Sequence, residues 1–201
     1  MQTTDLKAEI ERIAQGREQT LIALAGPPGS GKSTLAETLA QALGPRAQVV
    51  PMDGFHRDND WLDERDLRAR KGAPETFDVV GFVQLVRGLR DGTVTKYPLF
   101  DRAIDGVVQD AGLLRPDADI IIVEGNYLLL GDDLWRDLHP LWDMTIMLSV
   151  DDDTLRNRLT QRWIDHGFSP KDALKKAREN DLKNAGVVIC NSVAATHTVM
   201  N

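Results

Sequence analysis

Residues Gly26, Pro27, Pro28, Gly29, Ser30, Gly31, Lys32 and Ser33 read GPPGSGKS and fit the pattern G-x-x-x-x-G-K-[ST]. This run constrains the chain more than any other feature. Its glycines let the backbone curl so that N–H groups face inward and form a nest for phosphate oxygens. Lys32 adds a point charge for the β- and γ-phosphates, the Ser33 hydroxyl is a ligand for Mg²⁺, and Thr34 is a further nucleotide contact. The context fits as well. Leu21–Ala25 is a short apolar run of strand length, and Ser33–Leu43 is an amphipathic segment whose positive helical end would face the anion. The chain is expected to bind ATP with Mg²⁺.

Apolar runs recur at Leu21–Ala25, Gln48–Pro51, Asp119–Val123, Thr145–Val150 and Val187–Cys190, with helical segments between them. Continuous apolar runs mean strands covered on both faces, which predicts an α/β fold: a parallel sheet wrapped by helices. With 201 residues, 42% hydrophobic, and no linker or repeat, the chain reads as one domain over 1–201. The net charge of −7 makes a nucleic-acid partner unexpected. No apolar stretch reaches the ~20 residues of a membrane span. The N-terminal segment lacks the apolar centre of a signal peptide, and Leu6, Ile10 and Ile13 share one helical face. The one cysteine, Cys190, lies in VVIC and is expected to be a buried thiol; a cytoplasmic protein is expected. Oligomeric state stays open, a homodimer included.

The strand–helix rhythm breaks from Phe55 to Val108. A polar stretch leads to a helix Val79–Arg90, capped by Asp78 and ended near Gly92, then a short strand Thr93–Tyr97 and the polar loop PLFDRAIDG. In an α/β nucleotide-binding core, such an excursion carries the second substrate, because ligands bind beyond the C-terminal ends of the strands.

Two carboxylates stand at such ends. Asp53 follows QVVPM and is a candidate base for an attacking hydroxyl; the alternative is a turn cap in Asp-Gly. Glu124 ends IIIV and is a candidate to hold Mg²⁺; the alternative is a cap for the turn after it. Arg158 and Arg162 share a face of the helical segment Thr154–His166 and are candidates to clamp phosphates, with a solvated helix face as the alternative. The four histidines show no ligand spacing; His56, beside Asp53, is a candidate substrate contact. Arg102 is another, with a surface ion pair as its alternative.

Taken in order, GPPGSGKS, MDGFHRD, RKGAPETFD, YPLFDRAIDG and VEGNYLLL resemble the uridine kinase, phosphoribulokinase and bacterial pantothenate kinase group of P-loop kinases, over about Leu21 to Val188. The resemblance implies a P-loop NTPase-type five-stranded parallel sheet with helices on both faces, the phosphate-loop strand lying beside the strand that ends at Glu124. It implies that Lys32 and Ser33 serve ATP and Mg²⁺, that Asp53 is the base, that Glu124 sits near the metal, and that Arg158 and Arg162 lie on a mobile lid over about 152–168.

The departures bear on the acceptor. Where uridine kinases carry an Asp that holds ribose hydroxyls, this chain has Gly72, and their next Tyr and His are Phe100 and Asp105. Pantothenate kinases carry a Tyr-Ser-His segment that PLFDRAID lacks. DGFHRD and YPLFDRAIDG are instead similar to small bacterial members of the group known as fructokinases or uridine-kinase-like proteins. Asp101, Arg102, Asp105 and Glu75 lie in segments that can meet around a polyhydroxylated acceptor, so a sugar such as fructose is expected, with His56, Arg102 and Asp105 as its contacts. The alternatives are a nucleoside, pantothenate, or no acceptor at all, as in an ATP hydrolase or switch.

Overall fold

The computed structural model describes residues 3–201. A helix α1 (Thr3–Ala14) precedes strand β1 (Thr20–Ala25), which leads through the phosphate loop into α2 (Lys32–Leu43). Strand β2 (Ala47–Pro51) opens the excursion, which holds a short helix α3 (Asn59–Asp63), helix α4 (Val79–Arg90), and strands β3 (Lys96–Asp101) and β4 (Gly106–Leu113). Strands β5 (Ile120–Gly125) and β6 (Met144–Ser149) return to the core. Helices α5 (Asp152–Asp165), α6 (Pro170–Lys176) and α7 (Leu182–Asn191) and strand β7 (His197–Met200) complete the chain, with a π-helical turn Ala177–Asp181 between α6 and α7.

The main sheet is parallel, in the order β2-β5-β1-β6-β7. Every residue of β1 and β5 is buried. Alternate residues of one strand serve opposite layers, as the pleat requires. Leu21 and Ala23 join a core with Phe82, Val86 and Leu89 of α4, while Ile22 and Leu24 join one with Leu6 and Ile10 of α1 and Leu39 of α2. The run of four strands and the pairing of β1 with β5 match expectation, as does α4 with its Asp78 cap, whose carboxylate accepts from the Gly81 N–H.

The fifth strand is a correction. Val187–Cys190 belongs to α7, and the outer strand is β7. An apolar run of four does not tell strand from helix. Here Asn184, Ala185 and Val188 face inward at helical spacing, which turns Ile189 and Cys190 out, so the expected buried thiol is an exposed one. On edge strand β7 only Val199 is buried, so its run was too polar to register as a strand.

The excursion's expected strand Thr93–Tyr97 is displaced, running instead over Lys96–Asp101. PLFD lies inside β3, not in a loop, and pairs antiparallel with β4 as a separate two-stranded sheet. A lone hairpin is marginal in water, so it must be docked. The Gln48 amide does this from edge strand β2: it donates to the Leu113 carbonyl (2.7 Å) and the Tyr97 hydroxyl (3.1 Å), and its oxygen accepts from the Arg115 N–H (2.9 Å).

Near the start of β1, Asp143 ties three elements. Its Oδ2 accepts from the Leu21 N–H (2.8 Å) and Arg90 Nη2 (2.7 Å), and its Oδ1 from Arg17 Nη1 (2.8 Å); the carboxylate is 9% exposed. Removing one member of such a group orphans the others. Asp143→Ala is expected to lower the unfolding free energy by about 2 kcal/mol, and Asp143→Asn, which can still accept from Leu21, by less. Denaturant titration of the two variants checks the order.

Candidate active site

The phosphate loop owes its shape to Gly31, whose φ of 93° lies in the left-handed region. As N-cap of α2, Gly31 brings no side chain to accept from the first turn, and no other cap replaces it. The leading N–H groups of a twelve-residue helix are therefore left for an anion, at the positive end of its dipole. Ser30 is fully buried, and its hydroxyl has no protein partner.

Lys32 is 8% exposed. Its Nζ donates to the Pro27 carbonyl (3.2 Å) and to Asn126 Oδ1 (2.7 Å). Burial pushes its pKa below the ordinary lysine value, against the pull of Glu124 and Asp53; the positive charge of Arg162 adds to the depression. Glu124 shows the complementary effect. Burial raises its pKa, opposed chiefly by Lys32, and its Oε1 accepts from the Ser33 hydroxyl at 3.2 Å. Parallel pairing sets Glu124 beside Leu24 of β1 and Pro51 of β2, so Asp53, two residues on, stands over the same strand ends.

Asp53 is near both the phosphate loop and the excursion. Its charge acts on Lys32, Glu124, His56 and Tyr127. His56 Nδ1 lies 2.8 Å from the Asp53 carbonyl, which can only accept; Nδ1 therefore carries the proton and Nε2 keeps its lone pair. Burial holds the His56 pKa below its usual value despite Asp53, so the ring is neutral near pH 7. The imidazole is fixed between Phe77 (4.1 Å) and Phe100 (4.8 Å).

The remaining acceptor-side residues do not gather on one point. Asp105, at the exposed β3–β4 turn with a φ of 48°, is held by Lys71 Nζ (2.8 Å) and Asn59. Asp101 accepts from the Ala103 N–H, and Glu75 lies 3.6 Å from Arg70. Arg102 is exposed, has no ion pair with any described residue, and is near enough to Glu124 to lower its pKa. Gly72 adopts a φ of 95°, and its carbonyl accepts from the hydroxyl of buried Tyr127 (2.6 Å).

Arg158 and Arg162 do share a face of α5 but reach different partners. Arg158 Nη1 lies 3.4 Å and 3.3 Å from the carbonyls of Gly29 and Ser30; Arg162 Nη2 donates to Asp181 (2.8 Å). Asn126, Tyr127 and Asp181 are the residues that sequence reading missed. Asn126 and Tyr127 lie inside VEGNYLLL, but the sequence assigns a role only to its glutamate, because the partners of the other two are distant in sequence.

An AAA domain family profile matches residues 22–180. The crystal structure of a "putative fructose transport system kinase" from Silicibacter sp. TM1040 superimposes with a TM-score of 0.95 at 44% identity, covering 99% of both chains. The chain is 41% identical to "Uncharacterized protein YggC" of Escherichia coli (strain K12), over 88% of this chain and 75% of that one. It is 38% identical to "Putative uridine kinase C227.14" of Schizosaccharomyces pombe, over 90% of this chain and 83% of that one.

Lys32 sets a direct trade between stability and phosphate binding. Its ammonium is desolvated for the sake of an anion, so an apolar side chain there relieves a folding cost. Lys32→Met is expected to keep or raise Tm while weakening ATP binding by about a hundredfold or more. A thermal scan beside a nucleotide titration checks this; a Tm several degrees lower would show the lysine to be a structural tie.

Proposed function

The chain belongs to the AAA domain family and is a P-loop kinase of the uridine kinase group, an ATP-dependent phosphotransferase acting on a small molecule, and from that premise we propose that it transfers the γ-phosphoryl group of ATP to a hydroxyl of a sugar. The observation that carries this reading is Asp53, whose carbonyl holds His56 and whose charge reaches the phosphate-loop lysine. A hydrolase has no need of a carboxylate close to both the phosphate loop and the excursion.

In this reading Lys32 and the open N-terminus of α2 hold the β- and γ-phosphates, and Asp53 accepts the proton of the attacking hydroxyl. Neutral His56 accepts another hydroxyl at Nε2 and so orients the acceptor. Arg158 and Arg162 supply positive charge from α5 as negative charge spreads over the transferring group. The Ser33 hydroxyl and the Glu124 carboxylate, a hard oxygen pair, suit Mg²⁺, which takes few protein ligands and completes its shell with water and phosphate. When bound there, the ion would neutralise phosphate charge.

Three features count against a nucleoside, though the third equally withdraws Asp105 as a sugar contact. Gly72 offers no side chain to a ribose, Phe100 is covered by His56 and Lys71, and Asp105 is already engaged by Lys71. The name of the Silicibacter relative agrees, and that of the Schizosaccharomyces relative makes a nucleoside the second reading. A missing hydrogen-bond partner in a polar site costs ~10²-fold or more in discrimination, so kcat/KM for fructose is expected to exceed that for uridine and for pantothenate. A competition assay at equal concentrations tests it. Preferential phosphorylation of uridine overturns the sugar reading alone, and acceptor-independent ATP turnover overturns the kinase.

The buried carboxylate gives a pH test of the metal role. Because the pKa of Glu124 is raised, the group takes up a proton at a higher pH than an exposed glutamate, and the protonated form cannot ligate a cation. Activity is therefore expected to fall on the acid side above the ordinary glutamate range, and raising Mg²⁺ should move that limb to lower pH. Rate–pH profiles at low and high Mg²⁺ check this; a limb indifferent to Mg²⁺ argues for another group.

A further inference from the structure

Between α6 and α7 the helix widens into the π turn Ala177–Asp181, and its last two residues hold partners on opposite sides. Asp181 is 5% exposed. One carboxylate oxygen accepts from Arg162 Nη2 (2.8 Å) and the other from Trp163 Nε1 (2.5 Å), both on α5. Trp163 is itself packed against Phe168 at 5.4 Å, with Lys176 over its face. The guanidinium of Arg162 is thus fixed in a direction, near enough to Lys32 for their charges to interact.

Asn180 turns the other way. Its Nδ2 donates to the Lys71 carbonyl (2.9 Å), and its Oδ1 accepts from Arg70 Nη1 (2.7 Å); Asn184, one turn on, accepts from Arg70 Nη2 (3.1 Å). These bonds hold the segment Arg70–Gly72 of the excursion. Gly72 in turn is bonded to Tyr127, whose neighbour Asn126 holds Lys32. The contacts run from phosphate loop to excursion to π turn to α5, and Arg158 of α5 reaches back to the Gly29 and Ser30 carbonyls.

We propose that Asp181 and Asn180 are positioning residues for phosphoryl transfer: Asp181 aims Arg162 at the nucleotide phosphates, Asn180 sets the acceptor-side segment Arg70–Gly72, and their adjacency on one turn links occupancy of the nucleotide site to order in the acceptor pocket. The inference rests on the kinase reading above. Phosphates that draw on Arg162 alter its hold on Asp181, and the next residue passes the change to Arg70 and Lys71. A link of this kind is a coupling free energy, and the physical warrant for it is a change at one site measured on occupancy of the other. Single π turns inserted between helical segments are frequent at functional sites.

The test uses the full chain, Mg²⁺ and a non-hydrolysable ATP analogue, with binding followed by calorimetry and backbone order by hydrogen–deuterium exchange. In the wild type, the bound analogue is expected to slow exchange across residues 70–76 by about fivefold or more. Asn180→Ala leaves the Arg162–Asp181 pair in place; it is expected to bind the analogue within about threefold of wild type and to lose the slowing. Asp181→Asn, which cannot accept from both Arg162 and Trp163, is expected to lose the slowing too. Should Asp181→Asn misfold by circular dichroism, Asn180→Ala decides alone. Tight analogue binding with no slowing in the wild type overturns the link and leaves the kinase reading standing, as does full slowing in both variants. No binding of the analogue to the wild type overturns the kinase reading and the link with it.

Discussion

The site is organised around one buried ammonium. Lys32 lies among a backbone carbonyl, the Asn126 amide and the field of two carboxylates, and burial still lowers its pKa. Neither Glu124 nor Asp53 forms a direct ion pair with it, so its charge is only partly compensated within the protein. A cation held this way is a receptor for anionic oxygen. The same desolvation raises Glu124, so cation and carboxylate each stand at a cost that a metal and a triphosphate would offset together. The parallel register that puts Leu24, Pro51 and Glu124 level makes this possible, because it brings three strand ends and the loop to one edge.

How much of this was legible in the sequence depended on how local the signal was. The phosphate loop, α4 with its cap and four of the five parallel strands are each written within a dozen residues. So are the strand-end positions of Asp53 and Glu124. The errors came where a short segment takes its character from distant partners. VVIC is apolar enough for a strand, yet lies on a helix with one face covered, while the strand at the sheet edge buries a single valine. PLFD reads as a loop because of its proline and its acid, and becomes a strand because β4 returns to pair with it.

The site shows the same division. Sequence order named the residues on the phosphate side, but which side chains hold them could not be read. Arg158 and Arg162 share a helical face, and their partners, the phosphate-loop carbonyls and Asp181, are 128 and 19 residues away. Asp105 was expected to meet an acceptor; its strongest contact is instead with Lys71, a charge 34 residues back whose reach depends on the excursion's fold. Asp181 gave no signal at all, since an acid in a helical stretch of mixed charges reads as surface until its burial is known.

The β3–β4 hairpin is a sheet of its own, tied to edge strand β2 through the side chains of Gln48, Tyr97 and Arg115. Its pairing contributes nothing to the hydrogen-bonding of the parallel core, so the core closes whatever the hairpin carries at its tip. Two rates of divergence are therefore open to one chain. The strand ends and the phosphate loop must keep their register, while the turn that bears Arg102 and Asp105 can be lengthened, shortened or recharged, trading one small molecule for another on an unchanged engine.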